Sequence, residues 1–164
     1  MVQEKKAPKI KKRISKRRDK ADEHYVIDLC DEILGLKADR QHCFDFLRGD
    51  SCKDGVLKEN TGKMLPVDAY YEKLNLVIEY WEKQHTESTP FFDNKMTSCG
   101  ITRKEQREKY DKRREEVLPQ NGIKLVIVQY KDLGESKRIR RNLEHDMAVI
   151  KNILANKNIL KINK

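Results

Sequence analysis

Apolar positions along the chain switch between helical and strand periods, and the switches predict its elements. Val26, Ile27, Leu29, Cys30, Ile33 and Leu34 recur at helical spacing, which predicts an amphipathic helix from Ala21 to about Leu34, ended near Gly35. On that helix Asp28 and Glu32 fall on the polar side. Glu23 falls with Val26, Ile27 and Cys30 on the apolar side and is the odd residue, although an acid in a first turn also answers the helix dipole. "QHCFDFL" (Gln41 to Leu47) alternates as a strand does, and the polar "RGDSCKDGVLKENTGKM" after it lacks periodicity and reads as a loop. "VDAYY" and "LNLVIEYW" are two strands around a short turn near Glu72 and Lys73. Beyond a second irregular stretch, "TESTPFFDNKMTSCG", Thr102 and Glu105 form a capping-box signal for a helix running to about Leu118, before Pro119. "GIKLVIVQY" is nearly continuous in apolar residues, which predicts a central, buried strand. Ile139, Leu143, Met147, Ile150 and Leu154 then predict a closing helix packed on the sheet. The order is helix, three strands, helix, strand, helix: an α/β sandwich around a mixed sheet, without internal repeats.

Two acids sit inside this apolar pattern, where an unpaired carboxylate is costly. With the hairpin turn at residues 72–75, Tyr71 pairs with Leu76, Tyr70 with Val77, and Asp68 faces Glu79. Directly opposed side chains share a face with Cβ atoms about 5 Å apart, so the two anions need neutralising. Mg²⁺ fits, because it takes one or two carboxylates, keeps several waters and leaves positions for phosphate oxygens. A protonated acid, an Arg partner or a one-residue change in register are the alternatives. The second long helix adds a stripe of Arg107, Tyr110, Asp111, Arg114, Val117 and Leu118, apolar at its lower end and charged at its upper end. Such a helix points its charged end at a polar site, with Arg107 and Arg114 suited to phosphate; a local surface pair of Asp111 and Arg114 is the plainer reading.

Composition narrows the class. The 164 residues make one domain with a modest core, and no apolar run is long enough to span a membrane. Residues 1–20 hold ten Lys or Arg against Glu4 and Asp19, a balance of +8 in a chain of net charge +9. This tail is too polar to fold alone and is expected to be a flexible arm ahead of a single domain at 21–164. Lys11, Lys12, Arg13, Arg17 and Arg18 within it would bind phosphates through counterion release, or else simply solubilise the terminus. No apolar segment follows the basic residues, which reads against a secretory signal and for a cytoplasmic protein. Cys30, Cys43, Cys52 and Cys99 are therefore expected as reduced thiols; a zinc site combining them with His24, His42 or His85 lacks ligand spacing.

"VDAYYEKLNLVIEYWEKQH" followed by "YDKRREEVLPQNGIKLVIVQY" resembles the PD-(D/E)XK nuclease superfamily, in particular very-short-patch-repair endonucleases and small bacterial endonuclease-like relatives. The resemblance covers Asp68 to Tyr130, with Glu23 matching an upstream helical acid more loosely. It implies a restriction-endonuclease-like three-layer sandwich in which a mixed sheet is flanked by helices. It also implies metal-dependent hydrolysis of phosphodiester bonds in double-stranded DNA, in a bacterial, nucleoid-associated setting. Asp68 and Glu79 would then hold Mg²⁺ or Mn²⁺, with a backbone carbonyl near Tyr80, and Glu23 would be the acid of the first helix. Gln84 and His85 match the family's "QH" strand end, and Asp111 and Arg114 the helix that braces the site. Trp81 stands where the superfamily commonly has Lys, so Lys83, two residues further along the strand, would supply the ammonium. Lys83, Gln84 or His85 would orient the water or protonate the leaving oxygen. A DNA-binding module that keeps the fold without turnover, an interaction domain whose acids are structural, and a homodimer that cuts both strands all remain open on these residues.

Overall fold

The computed structural model describes residues 21–82, 93–134 and 139–160. Helix α1 (Asp22–Leu34) ends where Gly35 adopts a left-handed φ of 63° and donates its amide to the Asp31 carbonyl, as the glycine predicts. Strands β1 (Asp39–Arg48), β4 (Met64–Tyr71) and β5 (Leu76–Trp81) follow, with a small ribbon of β2 (Ser51–Lys53) and β3 (Val56–Lys58) between the first two. Helix α2 (Arg103–Gln120) starts on the expected capping box of Thr102 and Glu105. It runs past Pro119 for a further residue before strand β6 (Lys124–Gln129), and helix α3 (Leu143–Asn156) closes the described chain. Among the described residues no helix is long and apolar enough to cross a membrane.

The main sheet has the order β1-β4-β5-β6, antiparallel except for the parallel pair of β5 and β6. The molecule is thus a mixed α/β structure with helices on both faces of a mixed sheet. Leu76, Ile78 and Tyr80 of β5 and Val126 and Val128 of β6 meet α1 and α3 in one core. Val77, Leu65 and Val67 meet Leu118 and Ile123, beneath α2, in the other. Burying Val26, Ile27 and Leu29 of α1 stabilises the first core by roughly 1.5–3 kcal/mol per side chain.

Three expectations need correcting. Strand β6 is not central but lies at the sheet's edge beside β5, which is the most buried strand; β6 is apolar because both of its faces are covered by helices, not because it has two strand neighbours. The loop at 48–64 contains a two-stranded ribbon, turned by Asp54 and Gly55 at φ of 53° and 75°. An Asp-Gly pair that supplies two positive φ values is a strong hairpin signal, and three-residue strands are too short to show a period. The cysteines are not all reduced: Cys52 and Cys99 form a disulfide that closes a 47-residue separation and ties the ribbon to the segment before α2, whereas Cys30 and Cys43 are free.

One irregularity positions everything that follows. Arg40 reaches α1, and its partner Ala69 packs in the α1–α3 core. Two residues along, His42 lies against Phe44 and Tyr70 beside the α2 core, where its partner Val67 is buried. Residues two apart on a regular strand share a face. The side-chain alternation of β1 and β4 therefore crosses from one face of the sheet to the other at the intervening rung, Gln41 and Asp68. Arg40 pins one side of this crossing through Asp28 and Asp31 at 2.8 and 2.9 Å. The Tyr71 hydroxyl donates to the same Asp31 at 2.9 Å.

On the other side of the sheet, Asp50 forms ion pairs with Arg113 at 2.8 Å and Lys109 at 2.9 Å and accepts from the Asn60 amide at 3.1 Å, locking the 48–64 segment onto α2. The Asp50 side chain is 3% exposed and Arg113 is buried beside it, so removing Asp50 leaves that guanidinium without its carboxylate, while the half-exposed Lys109 keeps Glu59 at 2.6 Å. Asp50→Ala is expected to lower stability by about 3–5 kcal/mol in urea denaturation, with far-UV circular dichroism of the folded state unchanged.

Candidate functional site

The regular pairing of β4 with β5 ends at Ala69 and Ile78, and the two acids replace the ladder at the next rung. The Asp68 amide donates to Glu79 Oε1 at 3.2 Å, and the Tyr80 amide donates to Asp68 Oδ2 at 2.8 Å. Each carboxylate thus satisfies a backbone donor on the facing strand and is held in place by doing so. The register is the one the sequence predicts, with Tyr71 opposite Leu76 and Tyr70 opposite Val77. Past this rung the strands part around a cleft of about 340 Å³ lined by Glu23, Gln41, Pro66, Asp68, Glu79, Tyr80, Glu82 and Arg114.

Helix α2 supplies the positive charge. Arg114 donates to the Pro66 carbonyl at 3.0 Å, meets Asp111 at 3.3 Å and brings its Nε to 3.8 Å from Glu79 Oε1. Asp111 is itself buried, so it braces the guanidinium rather than decorating the surface. Glu79 is 6% exposed. Burial first, and the Asp68 carboxylate second, push its carboxyl up to about 8, against the opposing pull of Arg114 and the Asp68 amide. One guanidinium at 3.8 Å does not offset this desolvation, so the site disfavours negative charge on Glu79.

This donor set suits a hard divalent cation. Two carboxylates from facing strands converge on an open cleft, and the arrangement disfavours negative charge unless positive charge is added. Among the described residues no three His, Cys, Asp or Glu side chains form a metal cage. A cation held by Asp68 and Glu79 would keep the rest of its shell as water and substrate oxygen, the habit of Mg²⁺.

Of the residues expected from the sequence, Asp68, Glu79, Glu23, Arg114 and Asp111 come together here. Glu23 is the odd acid of α1 because that face of the helix end borders the cleft. Arg107 is elsewhere: it pairs with the buried Asp93 at 3.3 Å and does not line the cleft. Lys83, Gln84 and His85, and the tail residues Lys11, Lys12, Arg13, Arg17 and Arg18, lie outside the described residues. Sequence reasoning missed Gln41, Glu82 and the anchoring role of Arg113. Gln41 enters only through the register of β1 against β4, and one sequence carries no signal for that pairing.

No family model matches the chain, and no curated protein or solved structure is significantly similar to it.

Glu79 makes stability depend on pH. Its folded value, about 8, lies above the unfolded value of 4.5, so its contribution is fully present below 4.5 and is lost as pH rises through 8. The metal-free protein is expected to melt at a lower temperature at pH 9 than at pH 6. Thermal scans of Glu79→Gln, which cannot ionise, should show a smaller difference between the two.

Proposed function

We propose that this chain is a metal-dependent endonuclease that hydrolyses phosphodiester bonds in double-stranded DNA, on a restriction-endonuclease-like sandwich. The observation that carries this reading is the half-buried Asp68 beside the buried Glu79 on a 340 Å³ cleft, with the Arg114 guanidinium 3.8 Å from Glu79. A purely structural acid pair has no need of a 340 Å³ cleft beside it.

Mg²⁺ or Mn²⁺ bound there would polarise the phosphoryl group and lower the pKa of the attacking water. Asp68 and Glu79 hold their oxygens at the cleft through the two facing amides. Arg114, locked by Asp111 and the Pro66 carbonyl, presents fixed positive charge to a phosphate without having to reorganise. Glu23 faces the same space from α1. Within the proposal, Lys83, Gln84 or His85 handles the proton of the water or of the leaving oxygen. Lys11, Lys12, Arg13, Arg17 and Arg18 give a grip on DNA that is independent of sequence and weakened by salt. A cytoplasmic, nucleoid-associated site of action belongs to the same reading. There Cys52 and Cys99 would meet a reducing pool, leaving Asp50 as the ribbon's main hold.

One observation favours a second reading, a DNA-binding module without turnover. Trp81 occupies the position where the superfamily commonly has Lys.

Plasmid nicking in Mg²⁺ or Mn²⁺ decides between them. The wild type is expected to nick, with Asp68→Ala and Glu79→Ala slower by roughly 10²–10³-fold. Duplex binding with no nicking would support the second reading, and equal nicking by both variants would rule out the first. In a salt series, deleting residues 1–20 is expected to flatten the log–log slope of binding by roughly one unit for each phosphate that the tail neutralises.

A further inference from the structure

Gln41 has a backbone φ of 55° within β1, between two regularly paired neighbours. That left-handed conformation is how the alternation of β1 stays in step with that of β4 at the Asp68 rung. The crossing explains the φ but not the residue. Glycine adopts this conformation at no steric cost, whereas a side chain with a β-carbon is strained there. What glutamine adds is its carboxamide, and the structure places it in the cleft, donating Nε2–H to Glu23 Oε1 at 3.3 Å. This is the one hydrogen bond of the Glu23 side chain among the described residues.

We propose that Gln41 is a positioning residue. The crossing of β1 aims its carboxamide at Glu23 and holds that carboxylate towards Asp68 and Glu79, so that Glu23 can orient the attacking water. The inference rests on the nuclease reading above and adds to it a role for a residue on a third strand. Arg40 makes the aim rigid, because its bonds to Asp28 and Asp31 fix the preceding residue to the same helix that carries Glu23. Position 41 and position 23 are thereby tied together twice, once through the backbone anchor and once through the amide.

Three variants test this. Gln41→Gly keeps the backbone conformation and removes the amide. Gln41→Asn tolerates the left-handed φ but is one carbon too short to reach Glu23. Both are expected to leave the melting temperature of the metal-free protein unchanged, or to raise it by up to about 4 °C. Both are expected to lower kcat for DNA cleavage at least ~tenfold with KM within about twofold, the pattern of an interaction used in the transition state. Adding Gln41→Gly to Glu23→Gln is expected to cost nothing further, since the two act as a unit. A clear fall in melting temperature for both variants would make Gln41 a structural residue and overturn the proposal. Wild-type kcat in Gln41→Gly, or losses that multiply in the double variant, would also overturn it. A wild type that cuts nothing removes the nuclease reading and this role together; a wild type that cuts no faster than Gln41→Gly removes the role alone.

Discussion

A buried carboxylate, Glu79, facing a half-buried one, Asp68, on the neighbouring strand is the constraint around which this structure is arranged. Separately, each could be solvated. Together at the rung where β4 leaves β5, Asp68 and Glu79 must be held against repulsion and against the desolvation that dominates at Glu79. The hold comes from the backbone: each acid accepts an amide on the opposite strand. The sheet thus gives up one rung of pairing, and the two carboxylates are fixed more rigidly than free side chains would be. Arg114 moderates the cost and does not remove it.

The surrounding architecture serves this rung. The side-chain alternation of β1 and β4 crosses between the two cores at Gln41 and Asp68, which opens the cleft to both helical layers. Helix α1 then contributes Glu23 from one side and α2 contributes Arg114 from the other. The anchors lie just outside: Arg40 with Asp28 and Asp31 on the α1 side, and Asp50 with Lys109 and Arg113 on the α2 side. Buried ion pairs of this kind contribute little net stability but punish any geometry that separates them, which favours one rigid arrangement.

Much of this is legible in the residues. Periodicity places α1, α2 and α3, and Gly35 and the Thr102–Glu105 pair mark where two of them end or begin. The register of Asp68 against Glu79 follows once the turn is placed at residues 72–75, and a one-residue change there would have separated the two acids. Glu23 stands out as a charge on an apolar face. What is not legible depends on pairings distant in sequence. The edge position of β6 cannot be read from its composition, since a strand covered on both faces is apolar whether it has one neighbour or two. The pairing of β1 with β4 spans a long excursion, so neither Gln41 nor the double crossing has a local signature. Arg107 shares a helical stripe with Arg114, but Asp93 takes it away from the cleft. The ribbon has a signal in Asp54 and Gly55, but strands of three residues show no alternation to support it.

That the Asp68–Glu79 pair is built to receive a divalent cation is tested most directly by anomalous scattering from a Mn²⁺-soaked crystal. One peak is expected in the cleft, about 2.0–2.2 Å from an oxygen of each carboxylate and completed by waters, as for a Mg²⁺-type site. A crystal at saturating Mn²⁺ with no peak between the two side chains, and with Arg114 or a proton still neutralising Glu79, would contradict it.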